Sequence, residues 1–551
     1  MNLLVMLKRV GVASLLVVSL LLIFSPIVAV LLMVMLLVLS KAAARAYAYD
    51  KFSYDKLLPV IEFVTKYAGW IVVIQCALYA FAYNALMPRG MYFSPDSVSY
   101  LSVSKLAPPN FSLLARALVE IEVGFGSTRI VFLRYVSIAI YSMGGWLIAR
   151  ALIRSGSPML ATLVLPAIWS VSSLTQWFNF FLTDGISTAF VVACIGAYAN
   201  LHVSLRGQYK ENANTWRWLS LFVFFGMASF ALRPAFGFIL PGMAILMMNR
   251  AIFSWRRLAA VVIATVLLAT GHFSFAKYYH GQNPSQMGAV LTALVFDLPV
   301  PNSCLVTDVS DICSTQRALE PFIQSSRGAG SAQAQFLYKA LNNLKVVEAA
   351  REALPGYDPN DPNYSALLEI ALLKIKSNPL AYVSMVLKNS YYSIKIWGHR
   401  ISNNDSFGSD ALRQNAAITS RIAPAVTGVM KSFANIDFDP TIKPLPAEKS
   451  YRTYVFQLPR LLLSHGLVTN LTFGITIVIL FFGLRPLFVR TFLTSSILSS
   501  CCLLGVGALV FQNAFFPVIP RLLDPLHPLA ALGALMLGSM VIDKIKNTPS
   551  N

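Results

Sequence analysis

The feature that most constrains this chain is a series of uninterrupted apolar segments, each long enough to cross a bilayer, recurring from one end to the other. About 20 apolar residues suffice for one helical crossing. Inside lipid every backbone N–H and C=O must be satisfied within the protein, so helices and closed barrels alone qualify. These runs are continuous rather than alternating, which excludes barrel strands. The expected fold class is an all-α polytopic membrane protein. With 56% hydrophobic and 12% charged residues, the formal net charge of +20 reflects Lys and Arg placed between spans and not a nucleic-acid surface. Such residues set orientation and meet anionic headgroups.

The first run, 11–40, is flanked by Lys8, Arg9, Lys41 and Arg45. It exceeds the apolar core of a signal peptide and is expected to be retained, as one tilted span or as a hairpin around Ser25-Pro26. A polar segment, 41–65, precedes a span at 66–87. A first outer loop, 88–128, follows, with short surface helices expected at 97–106 and 112–122 on either side of Pro108-Pro109. Further spans are expected at 130–149, 158–175, 184–202, 216–232, 234–249 and 258–276. Residues 278–458 are mostly polar; within them 382–397 is apolar and aromatic but carries Lys388 and Lys395, and reads as interfacial. The last spans are expected at 461–484, 491–511 and 525–542.

The chain thus divides into an N-terminal membrane module (1–276), a large outer region (277–459) and C-terminal membrane helices (460–551), with about 11–13 crossings in all. Cys76, Cys194, Cys501 and Cys502 fall in apolar runs and read as small core residues. Cys304 and Cys313 lie close together in a polar loop, where an oxidising compartment would allow a disulfide.

Charge between the spans sets the orientation. With 41–65 placed in the cytoplasm, the same side receives Arg150 and Arg154; Arg206, Lys210 and Arg217; Arg250, Arg256 and Arg257; Arg485 and Arg490; and Lys544 and Lys546. That is a positive-inside pattern, and the long region 278–458 then lies outside. The outer connections collect Asp96, Asp184, Arg233, Arg521, Asp524 and His527. Ionisable residues at membrane boundaries are costly and mark functional sites, so these groups are expected to share one pocket on the non-cytoplasmic side.

Each also has a plainer reading. Pro95 can break a helix and Asp96 cap the next, and Asp184 can cap the helix starting at Gly185. Arg233 can be a snorkelling boundary arginine. Arg521 and His527 sit in a proline-rich turn and can be structural. Glu120 and Glu122 read as the solvated face of a surface helix, with Glu120 the better candidate for substrate contact. The aromatic stretch Trp177-Phe178-Asn179-Phe180-Phe181 reads as an interfacial belt.

A boundary carboxylate beside arginines suits one chemistry well. The carboxylate deprotonates an acceptor hydroxyl, and guanidinium forks bind a lipid phosphate. The chain has no Gly-x-Gly-x-x-Gly and no Gly-Lys-Ser/Thr loop, which fits a lipid-linked donor used away from cytoplasmic nucleotides. The alternative class is a transporter or flippase of a lipid-linked glycan, for which repeated halves and broken helices are the signature. An O-antigen polymerase or ligase is a further alternative.

Four short motifs, Pro95-Asp96-Ser97-Val98-Ser99-Tyr100, Phe181-Leu182-Thr183-Asp184, Arg233-Pro234 and Pro520-Arg521-Leu522-Leu523-Asp524-Pro525, taken together resemble the GT-C superfamily of membrane glycosyltransferases. Protein O-mannosyltransferases and the lipid A aminoarabinose transferase are members of it. The resemblance covers the layout of 66–276 and the last spans. It implies a GT-C-like bundle with a large outer loop region in a bacterial inner membrane. It implies a polyprenyl-phosphate-linked sugar donor and a glycan, lipid or protein acceptor at the periplasmic face. Asp96 then corresponds to the catalytic base, Asp184 to a partner in the acceptor or donor site, and Arg521 to a donor-phosphate contact; from their own placement, Arg233, Glu120 and His527 are further candidate substrate-binding residues. The first loop lacks the adjacent Asp-Glu pair of several relatives, which leaves use of a divalent metal (Mg or Mn) open.

Overall fold

A computed structural model describes residues 54–86, 90–102, 107–127, 129–169, 178–205, 213–280, 287–295, 298–299, 365–403, 409–435, 493–515 and 526–546. In chain order the helices are α1 (Tyr54–Leu86), α2 (Pro95–Leu101), α3 (Pro109–Gly124), α4 (Phe132–Arg154), α5 (Pro158–Trp169), α6 (Thr183–Leu205) and α7 (Ala213–Leu232). They continue with α8 (Ile239–Met247), α9 (Trp255–His280), α10 (Met287–Leu294), α11 (Ser365–Ser377), α12 (Pro379–Asn403), α13 (Ser409–Ala434), α14 (Leu493–Phe515) and α15 (Leu526–Lys546). Among the described residues, six segments are long and apolar enough to cross a membrane: Glu62–Phe81, Phe132–Arg154, Thr183–Leu205, Ala213–Leu232, Trp255–Tyr279 and Leu493–Phe515. The chain is an all-α, multi-pass membrane protein.

Several expectations change in detail. The span expected at 158–175 is, within the described residues, the 12-residue α5, shorter than a crossing. The helix expected from 66 begins at Tyr54, well inside the stretch read as polar connection. The span expected at 234–249 is instead a 3-10 turn, Pro234–Phe236, followed by the short α8. Pro234 fixes the backbone as it leaves Arg233. Within 277–459, α11 and α12 form an apolar pair bent by 101°, because Pro379 cannot continue the helix before it. The expectations for 11–40, 461–484 and the Cys304–Cys313 bridge fall outside the described residues.

α6 is the centre of the bundle, buried along nearly its whole length. It lies parallel to α4, in a register where Gly144 meets Ala193 and, three residues on, Leu147 meets Gly196. A Cβ at Gly144 would stand 2.7 Å from the backbone N of Ala193, and one at Gly196 would stand 2.6 Å from the Cβ of Leu147. Small residues allow this backbone approach, the usual source of association between helices in lipid. Asn200 then donates to Leu147 O at 2.7 Å across the same crossing. A Gly144→Leu variant is expected to lose about 1–3 kcal/mol or more through overpacking, read as a lower unfolding midpoint in detergent.

α7 runs antiparallel to α6, with Ser229 donating to Ser187 O at 2.9 Å and Cys194 to Phe222 O at 3.5 Å. α14 is antiparallel to α8: Gly237 faces Phe511, Gly242 faces Leu504, and Asn249 reaches Ser496. Two ends of the bundle follow. One, the site end, gathers the starts of α4 and α6 and the last residues of α1, α7 and α14. The other, the basic end, holds Arg150 and Arg154 at the close of α4 and Arg217 at the start of α7. Cys194, Cys501 and Cys502 are buried, unbridged core residues.

Candidate active site

Two chain segments far apart in sequence are stitched together at the site end. Tyr92 and Phe180 form a parallel bridge, with Tyr92 N donating to Asn179 O at 2.7 Å and Phe181 N to Tyr92 O at 2.9 Å. The rings of Phe93 and Phe181 stack beside it, 5.4 Å between centroids. Ser97 Oγ closes the seam by donating to Phe181 O at 2.7 Å. Each segment runs straight from this seam into a helix: α2, with Asp96 in its first turn, and α6, with Asp184 in its first turn. Both carboxylates thus sit at helix N-termini, where the macrodipole favours negative charge.

Neither acid is the cap that a structural reading assigns to it. Ser94 caps α2, accepting and donating within a capping box with Ser97, whose Oγ takes the Ser94 N–H at 2.9 Å. Asp96 stands next to that cap, half-buried. Asp184 forms an ion pair with Arg233, both side chains being buried. Arg233 Nη1 also donates to Thr183 Oγ1 at 2.7 Å, and its guanidinium lies over the ring of Phe236 at 5.5 Å. Arg233 therefore turns into the bundle and does not snorkel. Among the described residues, Asp184 Oδ1 and Arg233 Nε have no hydrogen-bond partner. An unmet buried donor and acceptor cost about 1–3 kcal/mol each, so this pair has unused capacity for a polar ligand.

A helix from within 277–459, α13, packs over the seam. Thr419 of α13 accepts from Phe93 N at 3.1 Å and donates to Phe93 O at 3.3 Å. Val426 and Met430 of α13 pack on Phe93, Leu101 and Phe111 in one apolar cluster. Arg116 of α3 donates to Leu101 O at 2.7 Å and lies over Phe433 of α13 at 4.8 Å.

The structure thus joins the helix starts that bear Asp96 and Asp184 at one seam and pairs Asp184 with Arg233. Glu120 is exposed and is not joined to them. Arg521 lies outside the described residues, as does the side chain of His527, although α14 ends and α15 begins on either side of Arg521. The aromatic stretch is not an interfacial belt. Phe178, Phe180 and Phe181 are buried, with Phe178 packed edge-on against Tyr83 and Tyr141. Within the described residues no three His, Cys, Asp or Glu side chains converge on a metal position, and Asp184 is committed to a cation already.

Glu122 corrects a second expectation. It is buried at 1% exposure and is no part of a solvated face. Its carboxylate accepts from Val131 N at 2.6 Å, Phe132 N at 2.9 Å and Ser127 Oγ at 3.0 Å, closing the N-terminus of α4. Glu122→Gln is expected to lose about 1–3 kcal/mol of stability, while Glu120→Gln stays within about 0.5 kcal/mol; thermal unfolding in detergent separates the two.

Arg134, also missed, is buried and donates to Gly90 O, fixing the entry to the seam. A lone arginine five residues into the run at 130–149 was the signal for it. Nearby, burial pushes the Tyr92 phenol up to about 12, the Arg134 charge offsetting part of the rise. Asn110 and His272 hydrogen-bond at 2.8 Å, tying α3 to α9.

No protein-family model matches the chain, and neither curated proteins nor solved structures give a match to it. The functional reading rests on the geometry.

Proposed function

We propose that the protein is a GT-C-type glycosyltransferase that moves a sugar from a polyprenyl-phosphate carrier to an acceptor hydroxyl at the non-cytoplasmic face of a bacterial inner membrane. The observation that supports this reading is the seam: it joins the start of the helix bearing a half-buried carboxylate, Asp96, to the start of the helix bearing the buried Asp184–Arg233 pair, at one end of a membrane bundle and against α13. Asp184 is paired with Arg233 in the buried wall, and the half-buried Asp96 at the start of α2 is the proposed base. Asp96 takes the proton of the acceptor hydroxyl as its oxygen bonds to the anomeric carbon. The bond from that carbon to the phosphate oxygen breaks, and polyprenyl phosphate leaves with the electron pair. Arg521 is the proposed contact for that phosphate, with His527 beside it in sequence, and Asp184–Arg233 shapes the pocket wall. The acceptor is a glycan, a lipid or a protein.

The test is incubation of the purified protein in nanodiscs with radiolabelled polyprenyl-phosphate sugars and candidate acceptors. Release of polyprenyl phosphate together with labelled acceptor supports the reading. Intact carrier throughout, with a folded protein, removes it. The 101° bend between α11 and α12 favours a second reading, a flippase of lipid-linked glycan, since broken helices line many transport paths. Passage of unchanged carrier across sealed vesicles would select that reading.

A further inference from the structure

At the basic end of the bundle, opposite the seam, three arginines from two helices share one small area. Arg150 lies over two indole rings at once, 5.4 Å from the centroid of Trp146 on its own helix and 5.3 Å from that of Trp218 on α7. Flat guanidinium and flat rings give a cation–π arrangement that holds the charge in a fixed place between α4 and α7. Arg154, one helical turn further along α4, and Arg217, beside Trp218 on α7, are close enough for their charges to act on Arg150. Arg154 and Arg217 are exposed. Among the described residues none of the three makes a hydrogen bond or an ion pair with a carboxylate. Among the described residues three like charges are therefore gathered without a counter-charge, and the stacking keeps Arg150 from swinging away to relieve the repulsion.

We infer that this Arg–Trp cluster is a binding site for the phosphodiester headgroup of an anionic phospholipid. The cluster ends two membrane spans, and tryptophan settles at headgroup depth. Basic clefts between helices at that depth take lipid headgroups, and guanidinium forks match a phosphodiester's two free oxygens. Arg150 provides the fixed contact, and Arg154 and Arg217 close on the lipid from either side. The site is remote from the proposed transfer chemistry and does not depend on it.

The experiment is native mass spectrometry of the full chain extracted from nanodiscs of phosphatidylcholine with or without phosphatidylglycerol. The wild type is expected to retain phosphatidylglycerol and to shed phosphatidylcholine. Arg154→Gln with Arg217→Gln should weaken retention about 25-fold, from roughly fivefold per charge near a lipid surface. Arg150→Lys, which keeps the charge and loses the stacking, should fall between. Arg250→Gln with Arg256→Gln removes two exposed charges from the same end and should leave retention unchanged. Equal loss in the two double variants would reduce the effect to bulk charge and overturn the assignment, as would wild-type retention in Arg154→Gln/Arg217→Gln. Stabilisation by inorganic phosphate alone, without retained lipid, would overturn the lipid as ligand.

Discussion

Arg233→Met is expected to cost about 3–5 kcal/mol of stability, the usual consequence of leaving a buried carboxylate without its counter-charge. Asp184 has nowhere to turn: it sits in the first turn of α6, the most enclosed helix of the bundle, and Arg233 is its sole ion-pair partner among the described residues. The companion variant gives the result its meaning. Adding Asp184→Leu removes the stranded charge, and replacing a buried pair by apolar residues of similar size is often neutral or stabilising. The double variant should therefore recover most of the lost unfolding midpoint in detergent. If Arg233→Met alone unfolds no more easily than wild type, the pair is not enclosed as described.

The second large effect concerns Asp96. Loss of a positioned general base typically slows a reaction by about 100- to 10,000-fold, and Asp96→Asn is expected to reduce sugar transfer by that factor. Stability should fall far less steeply than transfer. Ser94 and Ser97 form the capping box at the helix start, and losing one charge at a helix N-terminus costs about 0.3–1 kcal/mol. Transfer assays run beside a thermal melt therefore read two different things. An Asp96→Asn protein with full transfer activity removes Asp96 from the chemistry. One that melts well below wild type would show a structural part for the carboxylate instead.

What could be read from the sequence divides along a physical line. Helices in lipid announce themselves by length and apolarity, so most spans among the described residues fall close to where the apolar runs lie. The charges between them assign ends, and that was enough to place Asp96, Asp184 and Arg233 on one end before any contact was known. The partnership of Asp184 with Arg233 follows from the antiparallel packing of α6 and α7, which a hairpin of two adjacent spans makes the simplest arrangement.

Contacts between distant residues left no such trace. Thr419 meets Phe93 across more than three hundred residues, and nothing in the composition of 409–434 names its destination. Glu122 looked like a surface acid because a carboxylate is seldom buried without a partner, and its partners depend on a turn that brings Val131 N and Phe132 N back onto it. The phenylalanines after Trp177 looked interfacial because aromatics gather at membrane rims. Here Phe180 and Phe181 build the seam, and Phe178 packs into the core beside it. Pro234 was visible, yet the apolarity of 234–249 masked how short α8 would be.

Thr419 grips both the N–H and the C=O of Phe93, and this has a mechanical consequence. α13 is clamped to the same few residues that lead into α2, so it and the acid-bearing turn must travel together. Any opening that lifted α13 would pull Phe93 off Phe181 and unzip the bridge at Tyr92. On the proposed function, admitting a substrate by lifting α13 would therefore also disturb the turn that carries Asp96.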